Sequence, residues 1–194
     1  AVAAGMGMDI AEIETCCEEL ARRGQFVRAH DTEEWPDATV AARYEFMHSL
    51  YQQVWYERVT VGRRTQIHQR IGERYEGAYG ARVREIAAEL AVHFEHGRDF
   101  PRAIRYRYFA AENAARRFGY QEAVAHLTRG LELLSMQPAD AVHDQQEVIL
   151  QCALGAAQFA RQGYAAPAVE QAYARAYLLS QQLFDGSILP QALH

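Results

Sequence analysis

The chain has 194 residues, 49% of them hydrophobic and 23% charged, an ordinary globular composition with enough length for one sizeable domain or two small ones. All 20 basic side chains are arginine, so chemistry that requires a lysine, such as a P-loop lysine or a Schiff base, is excluded. A net charge of −5 argues against general nucleic-acid binding, because such proteins need a basic surface to neutralise phosphates.

The charge is unevenly distributed along the chain. Residues 1–50 contain 4 arginines and 10 acidic side chains, residues 51–134 contain 14 and 10, and residues 135–194 contain 2 and 5. An anionic partner is therefore expected to meet the middle third of the chain.

The three cysteines, Cys16, Cys17 and Cys152, do not make a disulfide framework and are predicted to be small buried residues in a reducing compartment. The chain has no signal peptide and no apolar run of about 18 residues, which predicts a cytoplasmic protein with no membrane partner. It lacks an initiator methionine and opens on the helix-like Ala1-Val2-Ala3-Ala4, so we expect a fragment of a longer protein.

The first predicted element is an amphipathic helix over residues 9–23. Asp9 can cap its first turn, and Gly24 can adopt the positive φ that often ends a helix. Apolar residues recur at intervals of three and four along one face, which is the period of a helix with one side packed. These residues are Ile10, Ile13, Cys17 and Leu20.

Two strands are predicted next, over residues 25–30 and 40–46, with the polar segment 31–39, broken by Pro36, as a long hairpin loop. A helix followed by a two-stranded ribbon is typical of the second half of a winged helix. Residues 1–60 are therefore predicted to form a partial winged-helix domain. Its helix and hairpin tip carry acidic side chains that would repel phosphate, so DNA binding is not expected.

Only helices are predicted after the second strand, at residues 46–59, 63–79, 81–96, 101–117, 121–134, 144–162 and 167–183. An aromatic residue follows each of the turn glycines Gly97, Gly119 and Gly163 within three positions. In the helix after each turn, small and bulky residues alternate at helical spacing. This pattern resembles the second half of a tetratricopeptide repeat, in which small residues let two helices approach closely.

The chain is therefore predicted to be mainly α, with a truncated winged helix (helix plus β-hairpin) followed by an α-solenoid of tetratricopeptide-like helix pairs over residues 61–194. An irregular helical bundle is the alternative. The spacing of the glycine turns is uneven, so the pairing of the helices stays open. The residues predicted to pack the repeats are Ala103, Ala110, Gly119, Ala123, Leu127, Gly155, Gly163, Tyr173 and Ala176.

No motif for catalysis is found: HExxH, GxSxG and CxxC are absent, so an enzyme is not expected. His93 and His96 are three residues apart, but no further converging ligand is suggested, and no metal or other cofactor is predicted. His68 is expected at the surface. Four arginines on one helix can be read as a basic patch or as a solvated helix face. They are Arg102, Arg105, Arg116 and Arg117.

His48 is the one candidate ligand-contacting residue. It follows a strand and lies in the first turn of the helix 46–59, where an imidazole and free backbone amides can meet a phosphate. A packing or capping role is the alternative interpretation.

The segment from Tyr44 to Val59 resembles the Phe-x-His-(Ala/Ser)-Leu…Val-x-Tyr-Glu signature of predicted bacterial ATPases of the STAND class, which occur fused to adenylate cyclases, protein kinases or LuxR-type regulators. Further matching segments cover most of the chain. They are Arg63-Arg64 with His68 and Ile71-Gly72, Ala88–Phe94, Gly97-Arg98-Asp99, and Ala153–Ala157 with Gly163–Glu170.

This resemblance implies a division of labour in a longer parent protein. A P-loop nucleotide-binding domain precedes the winged helix, and a helical-repeat sensor follows it. The winged helix packs on the nucleotide domain, and His48 contacts the nucleotide's phosphate, as in the Met-His-Asp motif of related immune receptors. Met47 and His48 match that motif, whereas Ser49 departs from it.

The first hypothesis is thus a non-catalytic regulatory region that binds a protein or peptide on the solenoid and couples to the nucleotide-binding domain. The alternatives are a DNA-binding winged-helix regulator and a free-standing repeat scaffold. A small enzyme with a composite histidine site has no supporting motif.

Overall fold

The computed structural model describes residues 2–188, and it describes the side chains up to residue 184. The chain is mainly helical with one two-stranded antiparallel sheet, as predicted. The elements are α1 (Val2–Met6), α2 (Ile10–Arg23), β1 (Val27–Glu34), β2 (Val40–Phe46), α3 (Ser49–Arg58), α4 (Val61–Tyr79), a 3-10 segment (Gly80–Ile86), α5 (Ala87–His96), α6 (Phe100–Arg116), α7 (Tyr120–Ser135), α8 (Ala141–Gln162) and α9 (Pro167–Ile188).

The described residues group into two compact units. The first holds the residues up to 83 together with 93–99, and the second holds 84–92 together with the residues from 100 onward. Helix α5 contributes its first six residues to the second unit and its last turn to the first. The domain boundary predicted at residue 60 stays a prediction.

Helix α2 has the predicted ends. The Asp9 carboxylate accepts a hydrogen bond from the Ala11 amide at 2.9 Å, and Gly24 ends the helix at φ 61°. The expected burial of the cysteines is wrong, because none of residues 10–23 is buried: Cys16 is exposed and Cys17 is half-buried. Cys152, on α8, is exposed as well.

The hairpin differs from the prediction in its first strand. β1 continues through four residues of the expected loop to Glu34, which pairs with Val40. Both faces of this ribbon are largely exposed, so polar side chains occupy the strand without cost and the hydrophobic pattern does not mark its end. A short turn closes it, in which the Trp35 amide donates to the Thr39 carbonyl at 2.8 Å and Ala38 takes φ 63°.

Trp35 joins the hairpin tip to α4. Its side chain is 8% exposed and stacks on Tyr75, with ring centroids 5.0 Å apart and planes 11° from parallel. The Arg74 guanidinium lies 4.8 Å from the centre of the indole and also donates to Asp37 at 2.7 Å and to Thr39 at 2.9 Å. The sheet is thereby fixed at its distal end.

In the first unit, α4 is in close contact with the end of α5 and the residue after it, at two glycines. A Cβ on Gly72 would lie 3.0 Å from the Phe94 ring, and a Cβ on Gly97 would lie 3.1 Å from the Gln69 backbone nitrogen. The last turn of α5 therefore rests directly on α4. The positive φ of the following turn is taken by Arg98, at 58°, rather than by the glycine.

In the second unit, each helix packs against the next one in sequence: α6 on α7, α7 on α8, and α8 on α9. Alanines let these helices come close together. Gly155 on α8 lies under the Tyr173 ring of α9, where an added Cβ would be 2.8 Å from the ring. The buried apolar residues of α6 to α9 are Ala103, Ile104, Tyr106, Ala110, Ala111, Ala114, Ala123, Leu127, Leu133, Leu134, Leu150, Leu154, Ala157, Val169, Ala172, Ala176 and Leu179.

Candidate functional site

An apolar pocket opens in the second unit between α6, the start of α7 and α8. Its volume is about 250 Å³. Six alanines line it, together with the larger side chains of Tyr108, Tyr120 and Leu127. Glu112 is the one carboxylate in the lining, and its Oε2 lies 3.5 Å from the Arg84 guanidinium. Burial raises the pKa of Tyr108, and the neighbouring Glu112 adds to the rise.

The size and chemistry of this pocket limit what it can hold. Pockets for drug-sized ligands usually begin at about 300 Å³, so this one fits a smaller group, such as one apolar side chain. The alanines offer apolar contact without directional hydrogen bonds, and Glu112, which already pairs with Arg84, is the one acidic group beside them. Single alanines do not reveal such a site in a sequence, because most of them are read as packing residues.

The apolar side of α3 is the second exposed feature. The spacing of its apolar residues predicts a packed helix face, yet none of residues 49–58 is buried. Leu50 is 56% exposed and Trp55 is 48% exposed. From beneath, Phe26 makes edge-to-face contacts with Tyr51 at 5.1 Å and Trp55 at 6.4 Å between ring centroids.

His48 precedes α3 and caps it. Its Nδ1 accepts a hydrogen bond from the Leu50 amide at 3.1 Å, and its ring lies against Tyr51. The side chain is exposed. This hydrogen bond agrees with the capping interpretation of His48. A phosphate contact by His48 in a longer parent protein stays a prediction.

The four arginines of the suggested basic patch occur as two pairs at opposite ends of α6. A rise of 1.5 Å per residue separates Arg105 from Arg116 by roughly 17 Å along the helix axis. Each pair has local partners: the Arg105 guanidinium donates to the Tyr106 hydroxyl at 3.1 Å, and Arg117 lies 3.7 Å from Glu122. Arg116 donates to Asn113, and Arg102 is half-buried.

Most residues predicted to pack the repeats lie in helix contacts. Five of them are buried to 4% exposure or less: Ala103, Ala110, Ala123, Leu127 and Ala176. Gly155 and Tyr173 contact each other, although the outer part of the tyrosine is exposed. Gly163 ends α8 at φ 83°. Gly119 keeps a negative φ, because Phe118 before it takes φ 60°.

Three histidines meet in the first unit, which the sequence did not predict. His68 of α4, expected at the surface, is half-buried against the last turn of α5. Its Nδ1 lies 3.1 Å from Nδ1 of His93, and its ring stacks on His96 with centroids 4.8 Å apart and planes 29° from parallel. Its Nε2 lies 3.1 Å from the Tyr56 hydroxyl. We call His68, His93 and His96 the histidine cluster.

Burial sets the charge of this cluster. It lowers the pKa of His93 to about 4, and the neighbouring His68 and His96 add to the fall. It also lowers the pKa of His68, with His96 and Arg64 adding to the effect. Both rings are therefore neutral near pH 7. The spacing of His93 and His96 was visible in the sequence, but the helix-to-helix register that brings His68 to them was not.

Potential metal ligands also lie together on α8. Ligand atoms of His143, Asp144 and Glu147 all lie within 4.8 Å of one another. Glu147 already accepts hydrogen bonds from the Arg175 guanidinium at 2.7 and 3.0 Å, which lower the pKa of its carboxyl group. His143 Nδ1 lies 3.3 Å from Asp144. The ion pair with Arg175 gives this group a structural explanation.

The comparisons with known proteins do not assign a family: no family model, no curated protein and no solved structure matches the chain. The resemblance to STAND-class ATPases therefore stays a prediction. Within residues 2–188, no helix combines the length and the apolar character needed to cross a membrane.

Proposed function

We propose that this chain is a non-catalytic regulatory region of a multidomain bacterial signal-transduction ATPase in the cytoplasm. Residues 1–60 are a partial winged helix that couples to a nucleotide-binding domain of the parent protein. Residues 61–194 are a tetratricopeptide-like solenoid that binds a protein or peptide partner. Nucleotide hydrolysis and the output reaction belong to other parts of the parent.

The apolar pocket is the observation that carries the sensor role. It is concave, it is lined by three successive helices that each pack on the next, and most of its lining residues are alanines. Successive helix pairs of a repeat array produce such a surface, because small residues keep the helices close and leave room above them. An apolar side chain of a peptide fits this space.

The exposed apolar side of α3 supports the coupling role. Leucine, valine and aromatic side chains that stay in water after folding mark a surface for another protein domain. The same surface adjoins His48, which the resemblance assigns to the nucleotide's phosphate. A free-standing repeat scaffold would use the pocket equally well but would give this face no role.

Exposed acidic side chains favour a protein partner over DNA in the first unit. Glu12, Glu18 and Glu19 are exposed on α2, and Asp31, Glu33 and Glu34 are exposed on the hairpin. A groove-reading helix and wing would meet phosphates with these groups, and like charges repel.

Selection of peptides from a random library tests the sensor role, with the 194-residue chain immobilised. Ala156→Phe fills the pocket from an exposed position on α8, and Ala125→Phe adds the same ring to an exposed position on α7 outside the lining. We expect peptides with a shared apolar residue, whose affinity falls at least tenfold in Ala156→Phe and is unchanged in Ala125→Phe. Peptides that bind both variants as tightly as the unsubstituted 194-residue chain would contradict the proposal.

A further inference from the structure

We propose that the histidine cluster, His68, His93 and His96, is a binding site for a divalent transition-metal ion. The inference is independent of the proposed function, since it concerns α4 and the last turn of α5 rather than the pocket. It departs from the sequence-based expectation of no metal, which rested on the absence of a third ligand near His93 and His96.

The distance between two imidazole nitrogens is the first argument. Nδ1 of His68 and Nδ1 of His93 lie 3.1 Å apart, at hydrogen-bond distance. Zinc–nitrogen bonds of about 2.0–2.1 Å to both atoms would make an angle of roughly 100° at the metal, between the tetrahedral and octahedral values. In the hydrogen bond, one ring donates and the other accepts, so a metal ion takes the place of the shared proton.

Tyr56 supplies the support that a ligating histidine usually has. Its hydroxyl oxygen lies 3.1 Å from Nε2 of His68, the nitrogen on the other side of the ring. With the metal on Nδ1, Nε2 carries the proton and donates to the tyrosine oxygen. Such an outer hydrogen bond fixes the tautomer and the ring orientation of a metal ligand.

His96 provides the third nitrogen. It lies one helical turn after His93, its ring stacks on His68, and it is exposed. In the structure its ring is stacked on His68, so a nitrogen of His96 reaches the ion only after rotation about its side-chain bonds, and water completes the coordination. Three imidazoles offer only nitrogen, which suits Zn²⁺, Ni²⁺ and Cu²⁺ and disfavours the oxygen-seeking Ca²⁺ and Mg²⁺.

Packing holds the two helices at this distance. Gly97 lets the end of α5 lie directly on the backbone of α4 at Gln69, and Phe94 packs on Gly72 of the same helix. His68 and His93, which are half-buried on these closely packed segments, are held near each other before a ligand arrives, which reduces the entropic cost of binding.

Calorimetric titration of the 194-residue chain with Zn²⁺, in a buffer that does not coordinate metals, tests the site. We expect one ion per chain, with affinity at least tenfold lower in His93→Gln and in His96→Gln. Tyr56→Phe retains all three ligands and should weaken binding by a smaller factor. The matched control is His143→Gln, which removes the imidazole from the group on α8 and should leave the affinity unchanged.

Two results would overturn the proposal. One is no measurable Zn²⁺ binding by the unsubstituted 194-residue chain. The other is Zn²⁺ affinity that is unchanged in both cluster variants; its loss in His143→Gln would then place the ion on α8. Circular dichroism checks that the variants are folded. His96→Gln keeps the test valid if His93→Gln is unstable, because His96 is exposed and its replacement leaves the hydrogen bond between His68 and His93 in place.

Discussion

Trp35 combines three interactions at the tip of the hairpin: burial, stacking on Tyr75 and the Arg74 cation above its ring. Trp35→Ala removes all three, and we expect the free energy of unfolding to fall by about 3 kcal/mol. Urea denaturation measures the loss. Val61→Ala, at an exposed position on α4, should change stability by less than about 0.5 kcal/mol. Equal effects of the two substitutions would show that the tip does not dock on α4.

Asp37 makes the stability of the same contact pH-dependent. The hydrogen bond from Arg74, with that from Thr39 adding to it, lowers the pKa of the Asp37 carboxyl to about 2. Because the folded-state pKa lies below the unfolded value of about 3.9, the pair stabilises the fold above that value and loses its contribution as the pH falls through about 2.

The variant Asp37→Asn isolates the contribution of the Asp37 carboxylate to stability. The stability difference between the unsubstituted chain and the variant should be constant above about pH 5 and should shrink between about pH 4 and pH 2. Thermal unfolding at a series of pH values measures it. A difference that stays the same down to pH 2 would show that Arg74 does not hold the carboxylate in solution.

At the level of the elements, α8 and α9 approach each other closely where Gly155 lies under the Tyr173 ring. Gly155→Ala adds a Cβ that would lie 2.8 Å from the ring, so the tyrosine or the helix must move. We expect a loss of about 1–3 kcal/mol, measured by thermal unfolding. Tyr173→Ala on the same background should recover part of it, because it removes the clashing ring.

A second glycine provides the opposite result as a control. Gly77 lies inside α4, and an added Cβ there would meet nothing within 4 Å. Gly77→Ala should therefore raise stability by up to about 1 kcal/mol through helix propensity alone. If Gly155→Ala raised stability as Gly77→Ala is expected to do, the close approach of α8 and α9 would be wrong.

The sequence predicted elements well where one face is periodic or an end is marked by a cap. β2 was predicted with its observed bounds from its alternating pattern, and Asp9 caps α2 as expected. The end of β1 was wrong because neither face of the ribbon is covered. Trp35 was placed in a polar loop, because its partners on α4 follow about 40 residues later and no local pattern connects them.

The histidine cluster shows the same limit. Periodicity indicates which side of a helix is apolar, but it does not give the register between two helices. The position of His68 opposite His93 depends on that register, which Gly72 and Gly97 allow through close packing. The pocket depends likewise on three helices together, so its alanines carry no signal individually.

For the whole chain, the proposed division of labour predicts that it does not bind nucleotide by itself. The sequence contains no lysine and no P-loop motif, and His48 already caps α3. Titration calorimetry with ATP or ADP at micromolar concentrations should give no binding heat, and His48→Ala should leave that result unchanged. Tight 1:1 binding of either nucleotide would refute the assignment as a regulatory region that depends on a separate nucleotide-binding domain.

The contrast between the two tryptophans of the chain gives it two built-in fluorescent reporters. Trp35 is stacked and almost wholly buried, so its emission should be shifted to shorter wavelength and protected from acrylamide. Trp55 is about half exposed on α3 and should emit at longer wavelength and be quenched readily. A domain that covers α3 would shift the Trp55 emission to shorter wavelength without changing that of Trp35. Undocking of the hairpin would shift the Trp35 emission to longer wavelength without changing that of Trp55. Replacing either tryptophan with phenylalanine leaves the emission of the other one alone. The two single-tryptophan spectra then assign each shift in the spectrum of the unsubstituted chain.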